Sequence, residues 1–288
     1  MIIPGILFLF GLLCLIKGGD WFVDGASALA RRFHLPELLI GATVVSVGTT
    51  LPEVMVSTIS AVSGHGEIAY GNAIGSVICN TALIAAITVA VRPGKVDPKP
   101  LRVPVAFFFA AAAIYCVAAY GMGRFTRPMG LLMLGMFVAY LAANVWQMKN
   151  APAEPEHEEE PMGIGKIVLL PESVIALTFV ALGTSLPELV TAITSLMKGH
   201  SDLSLGNVVG ANVFNLVLVS GMSVTLAPFE IPQSATLFGI NSSLVLELPV
   251  MLLVMALLTI PALVRGKLSR VQGVALLCIY AAFCAVQF

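Results

Sequence analysis

Charge is what this sequence has least of. Only 11% of its 288 residues are Asp, Glu, Lys or Arg, the net charge is −1, and 58% are hydrophobic. Mean hydropathy is +0.96. Such a composition excludes an ordinary soluble domain, and without a basic excess nothing points to a nucleic-acid partner. Histidine is scarce as well. His34, His65, His157 and His200 fall in loops or a linker, none is placed to activate an intramembrane serine, and no His-Glu-x-x-His is present. The chain therefore lacks the groups an intramembrane enzyme needs. The five cysteines, Cys14, Cys79, Cys116, Cys278 and Cys284, all fall in apolar stretches. They read as small apolar residues, not as a disulfide framework or a zinc site. The amino terminus has neither a basic n-region nor a small-residue cleavage site, so it reads as a retained span.

What the chain does have is an internal repeat. Leu35–Asn80 aligns without a gap on Leu170–Asn215, with 18 identities in 46 positions. A repeat of this length is the first feature to read in any chain that has one. At its heart Thr43-Val-Val-Ser-Val-Gly-Thr-Thr-Leu-Pro-Glu53 recurs as Thr178-Phe-Val-Ala-Leu-Gly-Thr-Ser-Leu-Pro-Glu188. Each copy lies inside an apolar run long enough to cross a bilayer and carries a glutamate near mid-span. An acid there is costly and is a functional hypothesis by default. The proline before each glutamate cannot donate a backbone hydrogen bond. It frees carbonyl oxygens around Ser46 and Ala181, which membrane depth tolerates only where protein or a watery cavity receives them. Ser46, Thr49, Thr50 and Glu53 fall at i, i+3, i+4 and i+7 on one helix face, and Thr184, Ser185 and Glu188 repeat the pattern. Carboxylates, hydroxyls and carbonyls are hard oxygen ligands that suit Ca2+ and similar cations. The plainer reading is a kinked packing helix with its glutamate paired to a lysine. No lysine or arginine lies in the apolar part of either span to serve as that partner.

In chain order, span 1 covers about Pro4 to Leu29 and carries Lys17, Asp20 and Asp24, with Lys17 and Asp20 spaced to pair. It is either a water-facing helix beside an ion path or an interfacial end with snorkelling charges. Span 2 (Leu38 to Val62) holds the first motif. Span 3 (Ile68 to Val91) carries Asn72, Ser76 and Asn80 as a polar stripe at i, i+4 and i+8, which helix–helix hydrogen bonding would also explain. Spans 4 (Val103–Tyr120) and 5 (Pro128–Met148) are apolar scaffold. Asn150–Pro161 is a linker with five glutamates between Glu154 and Glu160, of the kind that is usually solvated. Span 7 (Ser173–Met197) holds the second motif, and span 8 (Leu203–Ala227) holds Asn207, Ala211 and Asn215. Span 9 (Ser243–Val264) contains Glu247, either a third intramembrane acid or, since it lies near the span end, an interfacial one, and span 10 is Val271–Phe288. The chain thus divides into a first membrane repeat (1–149), an acidic linker (150–166) and a second repeat (167–288).

Two copies of Gly-Thr-[Thr/Ser]-Leu-Pro-Glu, each followed by Gly-Asn-x-x-Gly-x-x-x-x-Asn, resemble the cation/Ca2+ exchanger superfamily, in particular its prokaryotic Na+/Ca2+ antiporter-like branch. The resemblance implies an all-α polytopic membrane protein of two inverted five-helix repeats, without a cofactor, that carries Ca2+ and Na+ across the inner membrane. It implies ligands at Thr49, Thr50, Glu53 and the Ser46 carbonyl; at Ser76 and Asn80; at Thr184, Ser185, Glu188 and the Ala181 carbonyl; and at Asn215. Three departures stand out. Ala211 replaces a frequent serine and Asn215 an occasional aspartate, which leaves two formal charges, Glu53 and Glu188. Val77 stands where asparagine is usual. The sixth span has no counterpart, because Met162–Leu170 is too short to cross, so nine spans are recognisable. Basic loops prefer the cytoplasm, and by that rule each half orients consistently while their join lacks one crossing. The linker is pulled across, the second repeat inserts inverted, or the chain is a deletion product. The leading expectation is Ca2+/Na+ exchange by alternating access. The rivals are H+/Ca2+ exchange and a transport-inactive relative lacking span 6.

Overall fold

The computed structural model describes residues 2–150, 185–233, 236–237 and 239–287. Among them are nine helices: α1 (Ile2–Phe33), α2 (Glu37–Val62), α3 (Gly66–Val91), α4 (Pro98–Met122), α5 (Arg127–Lys149), α6 (Leu186–Lys198), α7 (Ser201–Leu226), α8 (Ser243–Arg265) and α9 (Arg270–Gln287). Seven are long and apolar enough to cross a membrane. α1 is long enough, with 32 residues, but it carries the charges of span 1. α6 is the described part of span 7. The boundaries follow local chemistry. Asp97 caps α4, accepting from Lys99 N at 3.0 Å, with Pro98 in the first turn. Gly199 and Gly266 end α6 and α8 in the left-handed conformation that glycine adopts without penalty.

α3 and α7 form the centre: 83% of each apolar window is buried, against 22% for α5 and α9, which leave most of their surface to lipid. The two repeats are inverted. At one end of the bundle His200 Nδ1 meets Glu37 Oε1 at 2.8 Å, and the two-residue strands β1 (Gly94–Lys95) and β4 (Lys267–Leu268) pair antiparallel. At the same end Arg270 Nε donates to the Ala90 carbonyl and Gln147 Nε2 to the Lys99 carbonyl. At the opposite end Phe125 N donates to the Phe229 carbonyl, beside a second strand pair, β2 (Thr236–Leu237) with β3 (Ile240–Asn241). Hence α2 and α7 run away from the first end while α3 and α6 run towards it.

That first end collects Arg31, Arg32, Arg92, Lys95, Lys99, Lys149, Lys198, Arg265, Lys267 and Arg270; the other has Arg124 and Arg127. Both halves therefore place their basic residues on one side, the cytoplasmic side by the charge rule. The chain leaves that end at Asn150 and re-enters the described residues at Ser185, at mid-depth. The linker, Ala181 and Thr184 lie outside them.

Two local readings change, and a third holds. Asp20 pairs with Lys198, Nζ to Oδ1 2.7 Å, and not with Lys17; Asp24 joins it at 2.6 Å. The partner lies far off in sequence, where helical spacing gives no warning. Helix α2 does not break at Pro52: Ser46–Val62 is continuous, and the backbone widens one turn earlier into a π-helical stretch, Gly41–Val45. Glu247 lies in the first turns of α8, half-buried, accepting from Ser243 Oγ and Gln287 Nε2 at 3.1 and 3.3 Å, in keeping with an interfacial acid.

The joint between the repeats is backbone against backbone. A Cβ on Gly206 would meet the carbonyl, C and Cα of Leu38; one on Gly41 would meet the Leu203 carbonyl and the Asn207 nitrogen. A Cβ on Gly210 would meet Ser46 Oγ and the backbone of Ala42. Small residues let membrane helices approach this closely, and dispersion then holds them.

Candidate functional site

The joint sets the first motif against α7. Ser46 Oγ donates to the Gly41 carbonyl at 2.9 Å and to the Asn207 carbonyl at 3.0 Å, and Thr49 Oγ1 donates to Asn207 Oδ1 at 3.2 Å. The π-helical turn behind them loosens carbonyl oxygens, and Tyr140 of α5 satisfies one, donating to Ala42 O at 2.8 Å. Two more π-helical turns begin at the repeat-equivalent residues Asn80 (Asn80–Ala85) and Asn215 (Asn215–Val219). Ser220 Oγ, itself in contact with Tyr115 Oη, donates to the Asn215 carbonyl at 3.0 Å.

The second motif enters from the other side. Glu188, in the first turn of α6, faces Glu53, Thr49 and Thr50. Ser185 Oγ donates to Ser76 Oγ of α3 at 3.3 Å. Ser46, Thr49, Thr50, Glu53, Ser76, Asn80, Ser185, Glu188 and Asn215 are all buried. Nine of the eleven expected site residues are thus buried inside the bundle; Ala181 and Thr184 lie outside the described residues.

The chemistry there is one-sided. The Glu188 carboxylate lies within reach of the Thr49 and Thr50 hydroxyls, and the amide oxygens and nitrogens of Asn80 and Asn215 are buried without a hydrogen-bond partner among the described residues. Buried polar groups are normally satisfied, so a cluster of orphans needs an explanation. Glu188, Glu53, Thr49 and Thr50 bring two carboxylates and two hydroxyls together there. A hard cation satisfies such a set, whereas no basic side chain of the described residues reaches it.

Two features escaped the sequence pattern. Asn207 was visible only as part of a Gly-Asn pair, yet it contacts the first motif. Asn212 Nδ2 donates to Thr81 Oγ1 at 2.7 Å and approaches Met255 Sδ at 3.2 Å. This ties α3, α7 and α8 together away from the acids, and periodicity gives no sign of it.

Comparison with known proteins agrees with this architecture. The chain is similar to the putative antiporter CaxA of Alkalimonas amylolytica, 32% identical over 325 aligned positions that cover 100% of this chain and 98% of that protein. It is 32% identical to the inner membrane protein YrbG of Escherichia coli, over 82% and 83% of the two chains. Among solved structures it resembles the sodium-calcium exchanger NCX_Mj soaked with zero Na+ and Ca2+, with TM-score 0.77 and 27% identity over 100% of both chains. An alignment of 325 positions for 288 residues leaves stretches of CaxA without a counterpart here. The sodium/calcium exchanger protein profile matches residues 3–146 and again 162–288, one match for each inverted half around the paired acids, and the chain belongs to that family.

Proposed function

We propose that this protein exchanges Ca2+ for Na+ across the prokaryotic inner membrane, by alternating access at the mid-membrane site. One observation carries the reading: Glu53 and Glu188, one from each repeat, are fully buried and face each other among the hydroxyls of Thr49 and Thr50. Two carboxylates so placed repel unless a cation or proton lies between them. Their two charges match one Ca2+, and Na+ competes for the same oxygens, so the ions exclude each other and their fluxes couple.

The ligands are Thr49, Thr50, Glu53 and the Ser46 carbonyl from α2, with Ser76 and Asn80 from α3. The second repeat supplies Thr184, Ser185, Glu188 and the Ala181 carbonyl, with Asn215 from α7. Asn80 and Asn215 are neutral amides where a proton-coupled carrier would be expected to have an acid, which favours Na+ over H+ as the counter-ion.

The test is Ca2+ uptake into proteoliposomes, driven by an outward Na+ gradient or, without Na+, by a pH gradient. Uptake that needs Na+ and is abolished in Glu53→Gln and in Glu188→Gln is the expected result. Normal uptake by both variants refutes the site, uptake driven by the pH gradient alone refutes the counter-ion, and no uptake by the folded wild-type chain refutes transport.

A further inference from the structure

A hydroxyl has one proton and two lone pairs, and the position of the proton decides whether the oxygen attracts or repels a cation. The single proton of Thr49 lies between two acceptors: its Oγ1 donates to Asn207 Oδ1 at 3.2 Å across the joint between the repeats, and the Glu188 carboxylate competes for the same proton. The neighbouring Ser46 hydroxyl shares its one proton between the Gly41 carbonyl of its own helix at 2.9 Å and the Asn207 carbonyl at 3.0 Å. One residue of α7 thus accepts from two hydroxyls of α2, with its side chain and its main chain. Asn207 is fully buried. It is held in register by its neighbours Gly206 and Gly210, which press against Leu38 and Ala42.

We infer that Asn207, which is not among the proposed ligands, is a positioning residue for the cation site. It holds the hydroxyl proton of Thr49 on the α7 side, so that the lone pairs of Thr49 face the cation between Glu53 and Glu188. It also makes the second repeat set the polarity of a ligand in the first. The inference rests on Thr49 being a ligand, as proposed above.

The experiment measures Ca2+ uptake by proteoliposomes under an outward Na+ gradient, with KM for Ca2+ and maximal rate determined separately. Each variant is checked for a monodisperse profile before reconstitution. Asn207→Ala removes the acceptor, and KM should rise about tenfold, the scale of one buried hydrogen bond, while the maximal rate changes by less than about twofold. Asn207→Asp keeps an acceptor oxygen at nearly the same volume, and its Ca2+ KM should be no higher than that of the wild type. Thr49→Ala should raise KM by itself, and adding Asn207→Ala to it should change KM by less than about twofold, because the residue acts through the hydroxyl already removed.

A merely structural asparagine would give a different pattern: the two single effects would multiply in the double variant, and Asn207→Asp would be as impaired as Asn207→Ala. Either result overturns the inference. Thr49→Ala with a raised KM beside a normal Asn207→Ala refutes the positioning role and leaves the ligand set standing. Thr49→Ala with an unchanged KM removes Thr49 from the ligand set and the positioning role with it.

Discussion

Replacing Gly206 by alanine should loosen the joint on which the site is built. Alanine ordinarily favours a helix over glycine by about 1 kcal/mol. At Gly206 the added methyl would lie 2.8 Å from the Leu38 carbonyl carbon and 2.9 Å from its Cα, with the carbonyl oxygen nearer still. A carbon needs about 3.5 Å, and what stands in the way is backbone, which cannot rotate aside. α2 and α7 must separate, which also stretches the hydrogen bonds of Ser46 and Thr49 to Asn207. Overpacking of this kind costs about 1–3 kcal/mol, which outweighs the gain in propensity. Thermal unfolding in detergent should show Gly206→Ala melting several degrees below the wild type, with a raised KM for Ca2+. Gly135→Ala is the control. It lies on the exposed face of α5 with nothing within 4 Å of its Cβ position, so it should leave the melting temperature unchanged or raise it slightly. If Gly206→Ala melts like Gly135→Ala and transports normally, the close approach of the two helices is wrong.

Other expectations are more modest. Tyr140→Phe leaves the Ala42 carbonyl without its donor inside the bundle, and should lower stability by about 1–2 kcal/mol in the same melting assay while the maximal transport rate is kept. Lys198→Ala removes the contacts to Asp20 and Asp24. These groups are partly exposed, so the loss should stay below about 1 kcal/mol and should shrink when the melt is repeated at high salt.

The inverted repeat, the paired acids and the apolar spans were legible in the sequence because they are one-dimensional patterns: a fixed offset, a period, a charge where none belongs. Ser46, Thr49, Thr50 and Glu53 share a face by spacing alone. What spacing could not supply is everything that depends on which helix lies beside which. Lys17 is three residues from Asp20, yet Asp20 turns to Lys198, because the end of α6 packs across the middle of α1. The π-helical turns at Gly41, Asn80 and Asn215 carry no composition of their own; at two of them a side-chain donor meets a displaced carbonyl, Tyr140 from α5 at Ala42 and Ser220 from the same helix at Asn215. Asn207 stood out only as part of a Gly-Asn pair, because its two partners lie on another helix of the other repeat. Pro52 marks no break: the helix runs through it, and the widened backbone, Gly41–Val45, lies upstream.

Backbone packed on backbone has no side chains to reseat. The contact of Gly206 and Gly210 with Leu38 and Ala42 can neither slip by a residue nor roll, because every such displacement drives main-chain atoms into one another. α2 carries Glu53 and α7 carries Asn215, so during the proposed cycle these two groups keep a constant separation. The moving parts must be those that lean on this block through flexible contacts, and α1 is one: it is tied to α6 by a lysine and two partly exposed carboxylates. Mechanically the molecule is a vice with one fixed jaw, and a spin label on α2 paired with another on α7 should report the same distance with Na+ as with Ca2+.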